Sequence, residues 1–191
     1  MRMILTVAGV LLTACGSLAA EMSRGVRDVT MIQDEVGTSR VLFRADLPQE
    51  SSAIAVRRAI LTVPVAAVEG AEGRTSRRLD LRVYPVTRSW SAGSADWTTG
   101  WSRPGGDYDS DVYGHADADV GRGGSIQFDV TVIVKEMLEH GAPAHGFLLT
   151  VAPDAGEGIV ATDRASLEGF ADATLEVQYR ELPPRPARTR G

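Results

Sequence analysis

The feature that most constrains this chain is a succession of short apolar runs in period-two alternation, each closed by Gly, Pro, Asp or Ser. Side chains of an extended strand point alternately to opposite faces, so this period marks strands with one face buried. Leu79, Leu81 and Val83 alternate with Asp80, Arg82 and Tyr84, and Thr174-Leu175-Glu176-Val177-Gln178-Tyr179 repeats the pattern. Val29 and Met31 begin it after Arg27. Further runs of strand length are Val41-Leu42-Phe43-Arg44-Ala45-Asp46-Leu47, Ala59 to Val65, Ile126 to Val130, Gly146 to Val151 and Ile159 to Ala161. Many short strands with frequent turn signals predict an all-β fold, an antiparallel β-sandwich of jelly-roll type over residues 27–181.

One segment departs from that period. Val130, Ile133, Val134, Met137 and Leu138 fall at i, i+3, i+4, i+7 and i+8, one face of a helix. The spacing predicts a single short α-helix from Thr131 to His140. Asp129 or Thr131 caps its start, and Gly141 and Pro143 stop it. It is expected to lie as a lid over an open end of the core.

Both ends of the chain read as appendages. Arg2 precedes the apolar stretch Ile4 to Leu12, which is too short to span a bilayer comfortably. Leu12-Thr13-Ala14-Cys15 follows and resembles the lipobox of bacterial lipoproteins, in which cleavage leaves an N-terminal Cys carrying lipid. The other reading is an ordinary secretory signal cut after Ala19 or Ala20. Cys15 is the only cysteine, so it has no disulfide partner. The lipobox resemblance implies a signal peptide at 1–14 and two or three acyl chains on Cys15, enough for stable membrane attachment. In a Gram-negative cell Gly16, in place of an Asp retention signal, implies the outer membrane. Residues 15–26 are expected as a flexible tether. Residues 182–191 are Pro/Arg-rich and are expected to be disordered.

A net charge of -5 gives no electrostatic pull towards nucleic acid or anionic lipid. Catalytic signatures are weak. There is no nucleophile elbow, and His115, His140 and His145 lack any metal-ligand spacing. Gly121-Arg122-Gly123-Gly124 precedes a strand, so it reads as a turn and not a phosphate cradle. The chain is therefore expected not to be an enzyme.

The order of motifs resembles the DNRLRE domain family, grouped with carbohydrate-binding module family 96. The resemblance rests on Val41 to Leu47 with Val56-Arg57-Arg58-Ala59-Ile60-Leu61, and on Leu81 to Gly93 with Asp96-Trp97. It continues in Pro104-Gly105-Gly106-Asp107-Tyr108-Asp109, and in Phe128 to Thr131 with Gly146-Phe147-Leu148-Leu149. The name-giving motif is absent, and Met137 stands where the family often has Trp. The resemblance implies a β-sandwich and a role in surface attachment or carbohydrate binding.

Two sets of residues are candidate sites. Trp90 and Trp97 flank strand ends and are expected to pack in the core. Trp101, Tyr108 and Tyr113 lie in a Gly/Asp-rich loop without apolar period. Exposed there, their rings could stack on the C–H faces of a polysaccharide; the alternative is that Trp101 anchors the loop. Asp107, Asp109 and Asp111 alternate on the same loop, with Asp117 and Asp119 beyond. Converging carboxylates suit Ca²⁺, although Val112 and Ala118 occupy places where an EF-hand needs Gly and Glu. The other reading of that run is a solvated turn. Two functions remain open from sequence: a polysaccharide-binding lipoprotein, or a structural or adhesion lipoprotein acting as a spacer or protein-docking unit.

Overall fold

The computed structural model describes residues 19–47, 54–67, 77–120, 122–152 and 168–182. The strand expected at Ile159 to Ala161, the lipobox with Cys15, and residues 183–191 of the tail lie outside the described residues.

Among the described residues the fold is all-β with one short α-helix. The strands are β1 (Ala19–Gln33), β2 (Ser39–Ala45), β3 (Ile54–Ala67), β4 (Arg77–Pro85), β5 (Gly114–Val120), β6 (Arg122–Asp129), β7 (Phe147–Val151) and β8 (Thr174–Glu181). All ladders are antiparallel, in the order β5-β4-β7-β2-β1-β8-β3-β6. β1 is the hinge of this sheet. Its residues 19–25 pair with β8 and its residues 26–33 with β2, so one strand passes from one layer to the other. The register shifts between Arg27 and Thr30, where Asp28 takes φ 53°. An extra residue at such a bulge bends the strand and increases its twist.

The tether expected over 15–26 is thus shorter at its C-terminal end, because Ala19–Gly25 already form a ladder with β8. Backbone pairing and the packing of Met22 and Val26 on the core outweigh the small, polar composition that suggested a free segment. β5 was also hidden in sequence. Its side chains are mostly Ala and Asp, poor strand formers, and it is drawn in by the β4 ladder. Asp117 is therefore a strand residue, separate from the loop carboxylates. Arg122–Gly124, expected in a turn, begin β6.

The main core fills the space between the layers. Phe43, Leu61, Leu81, Val83, Phe128, Leu149, Leu175 and Val177 are fully buried there, with Phe43 stacked on Phe147 at 5.2 Å. The helix α1 (Thr131–Leu138) adds Ile133, Val134 and Met137. Its N-cap is Val130, with no side-chain cap; Asp129 Oδ1 instead accepts from the Thr131 N–H at 3.0 Å. Thr131 Oγ1 accepts from the Ala59 N–H at 2.9 Å and so joins α1 to β3. Gly141, at φ 73°, turns the chain out, as expected. A 3-10 helix at Glu168–Asp172, too short to carry a period of its own, places Phe170 4.8 Å from Phe43.

The β4-β7-β2 region is buried on both faces. Leu42 and Leu148 point away from the main core and, with Ile32, Tyr84 and Val86, form a second buried cluster. This explains why Val41-Leu42-Phe43 and Phe147-Leu148-Leu149 read as continuous apolar runs. The long loop between β4 and β5, residues 86–113, covers this outer cluster with Trp90, Ala95, Trp97, Trp101 and Tyr108.

Candidate functional site

The covering loop is pinned at both ends. Val86 N donates to Gly146 O at 2.9 Å, Thr87 N to Asp107 O at 2.9 Å, and Asp109 N to Pro85 O at 3.1 Å. The return strand of the loop passes close to β2 at Gly105, whose φ is 87°. A Cβ there would lie 2.5 Å from Arg40 Nη1, so this approach needs glycine. Arg40 donates to the Gly105 carbonyl at 2.5 Å and lies over the rings of Trp97 and Tyr108, at 4.9 and 5.3 Å. Burial pulls its guanidinium below the usual arginine value.

In the first part of the loop, between residues 89–95 and 99–101, opens a groove of about 380 Å³. Trp90 and Trp101 line it, together with Ser89, Ser91, Ser94 and Thr99, and Ala95 and Gly100 complete its wall. Both tryptophans are half-buried. Each commits its indole N–H to the protein: Trp90 Nε1 donates to His145 O and Trp101 Nε1 to Asp96 O, both at 2.8 Å. The guanidinium of Arg44 stands 4.3 Å from the Trp90 ring centre and donates to the Trp90 carbonyl. Arg44 is held in turn by Asp28, at 2.9 Å, from the bulge in β1.

Asp96 organises the far wall. Its carboxylate accepts from the backbone N–H groups of Thr98, at 2.7 Å, and Thr99. The Thr99 backbone bond, with help from Thr98, lowers its pKa from 3.8 to about 2. Its own carbonyl meanwhile holds Trp101.

The residues singled out in sequence are not gathered together. Trp101 lies in the groove. Tyr108 packs at 4.8 Å from Tyr84 and covers the outer cluster. Tyr113 is 46% exposed, 5.7 Å from Tyr84 and 4.9 Å from the guanidinium of Arg82. Neither tyrosine lines the groove. Trp90 and Trp97, expected in the core, are half-buried on its outer satellite. The division into buried and exposed tryptophans does not appear. A large ring with one polar edge settles where its body meets apolar surface and its N–H meets a carbonyl, and all of these sites lie at the loop-sheet boundary. Trp90 is a groove residue that hydrophobic period does not reveal. The signal was present in Ser89-Trp90-Ser91 with Ser94, an aromatic flanked by hydroxyls outside any strand.

Asp107, Asp109 and Asp111 also differ in environment. Asp107 is buried; its carboxylate accepts from Ser102 N at 2.8 Å and Ser102 Oγ at 2.5 Å, with Arg88 3.6 Å away. Burial pushes that carboxyl up, but the Ser102 bonds and Arg88 outweigh it and hold it below the ordinary value. Asp109 and Asp111 are exposed, and Asp109 Oδ1 accepts from the Asp111 N–H at 3.0 Å. Among the described residues, no group of three His, Cys, Asp or Glu side chains could hold a metal ion. His115 lies 3.3 Å from Asp80 and His140 lies 3.1 Å from Glu136, both on the surface.

Among the described residues, no helix is long and apolar enough to cross a membrane. Compared with known proteins, the chain matches no family model and no curated protein sequence.

Proposed function

We propose that this domain is a non-catalytic carbohydrate-binding module, exported and held to the cell envelope through lipid on Cys15. The observation that carries the binding function is the Trp90–Trp101 groove. Indole faces suit the C–H faces of sugars, and the neighbouring Ser and Thr hydroxyls suit their hydroxyl groups. None of the eight lining residues has a carboxylate or imidazole for general acid–base chemistry, which supports binding in place of turnover. The motif resemblance to the DNRLRE family points the same way. Retention in native gels containing polysaccharide tests the reading. The wild-type domain should be retarded and Trp101→Ala should run freely, with its circular dichroism unchanged. A wild type that no polysaccharide retards would reject it.

The lipid anchor has its own test. Cys15→Ser, or globomycin, should move the protein from the membrane to the soluble fraction; no shift would favour an ordinary signal peptide.

A second reading, a structural or adhesion spacer, is favoured by one observation. Both indole N–H groups point into the protein, so the aromatic loop also serves as the cover of the outer cluster. On that reading Trp101→Ala loosens the loop and changes no binding. Calcium on Asp107, Asp109 and Asp111 would lie outside the groove lining and would have to displace the Ser102 bonds of Asp107.

A further inference from the structure

We infer that the groove takes an uncharged glycan, discriminating against uronic and sulfated sugars; this rests on the carbohydrate-binding reading. None of the lining residues is charged. Three charged residues that adjoin the lining, Arg44 on Trp90, Arg88 beside Ser89 and Asp96 beside Ala95, are already engaged. Arg44 is paired with Asp28 at 2.9 Å, and Arg88 lies 3.6 Å from Asp107. The Asp96 carboxylate accepts from Thr98 N, Thr98 Oγ1 and Thr99 N. An anionic sugar would lose water on entering the groove and would find no unpaired cation in its lining. Such a group keeps its desolvation cost uncompensated.

What the groove does offer is neutral. Among the described residues, no protein group hydrogen-bonds the hydroxyls of Ser89, Ser91 or Ser94. All three residues are exposed. Each hydroxyl can donate one bond and accept two, the same inventory that a sugar hydroxyl presents. The tryptophans, with their N–H groups turned inward, are left with ring surface. One face of Trp90 is taken by Arg44, whose charge is bound to Asp28, and the groove receives what remains. Ring surface and free hydroxyls without charge match a neutral pyranose with a C–H face.

The test is a calorimetric titration of the intact domain with two probes. One is a set of neutral gluco-, manno- and galacto-hexaoses; the other is oligogalacturonate of the same length. A neutral hexaose should bind at least about tenfold tighter than the uronate, the direction set by the uncompensated charge. Its affinity should not change between low and high salt, because no ion pair is made for salt to screen. Replacing Ser89, Ser91 and Ser94 together by Ala should weaken it by about tenfold or more, since three exposed hydroxyls are lost without core damage. An unchanged melting curve confirms that this variant is folded. Uronate binding as tight as neutral binding, and falling with salt, overturns the neutral assignment and leaves the carbohydrate reading standing. Neutral binding that survives both the triple Ser→Ala change and Trp101→Ala overturns the site. No binding of either probe overturns both the inference and the reading beneath it.

Discussion

Trp101 is held by one hydrogen bond, from its Nε1 to a carbonyl five residues back, and by half-burial on the outer cluster. Trp101→Ala should therefore cost about 1–3 kcal/mol, the ordinary range for a partly buried ring that leaves one acceptor unmade. Phe43→Ala, at a fully buried ring stacked on Phe147, should cost about 3–5 kcal/mol. Urea unfolding of the two variants checks the order; equal losses would mean that the groove ring is as deep in the structure as Phe43. Asp96 makes an acid-dependent contribution. Its folded pKa, about 2, lies below its ordinary 3.8, so the ionised form is favoured by folding. That stability is fully present above pH 3.8 and is lost as pH falls towards 2. Asp96→Asn should flatten the fall in melting temperature across that window. An identical acid arm in the variant would show that the carboxylate bonds carry no stability.

At the scale of elements, the covering loop depends on glycine. Gly105 combines φ 87° with a Cβ position 2.5 Å from Arg40 Nη1 and 3.0 Å from Trp97. Gly105→Ala brings both backbone strain and a clash, so a loss of about 1–3 kcal/mol is expected. The damage should be local: hydrogen exchange should rise over residues 86–113 and stay slow in β3, β6 and β8. Uniform acceleration would show the loop to be part of the global folding unit. β1 illustrates how one element links distant features. Its bulge sets Asp28 in the left-handed region, where it meets Arg44, and Arg44 reaches Trp90. A change of strand register thereby reaches a groove formed by residues far along the chain.

At the scale of the molecule, the expected all-β class is what the described residues form, eight antiparallel strands in the order β5-β4-β7-β2-β1-β8-β3-β6. Stability is divided between the core within the layers and the smaller cluster outside them. Calcium is a whole-molecule question, because a ligand bound only by the folded state raises the melting temperature by mass action. With Asp107 held by Ser102 and no metal-holding group among the described residues, melting curves in calcium and in chelator should coincide. A rise of several degrees in calcium would show that the loop rearranges to gather the three carboxylates.

The sequence by itself determined the class. Leu79, Leu81 and Val83, or Leu175 and Val177, carry a local period that only a half-buried strand satisfies, and Ile133, Val134 and Met137 carry the helical one. It also marked the loop around Trp101 as aromatic and apart from the ladders. It could not show that Leu42 and Leu148 face outward, because a strand buried on both faces has no alternation to read. Nor could it show β5, whose weak strand formers are recruited by β4, or the pairing of Ala19–Gly25 with β8. The groove is the clearest case. Trp90 and Trp101 meet there because an apolar outer face needs a cover and two indole N–H groups need carbonyls, His145 and Asp96. Those partners are chosen by packing across the chain, and no local pattern records them.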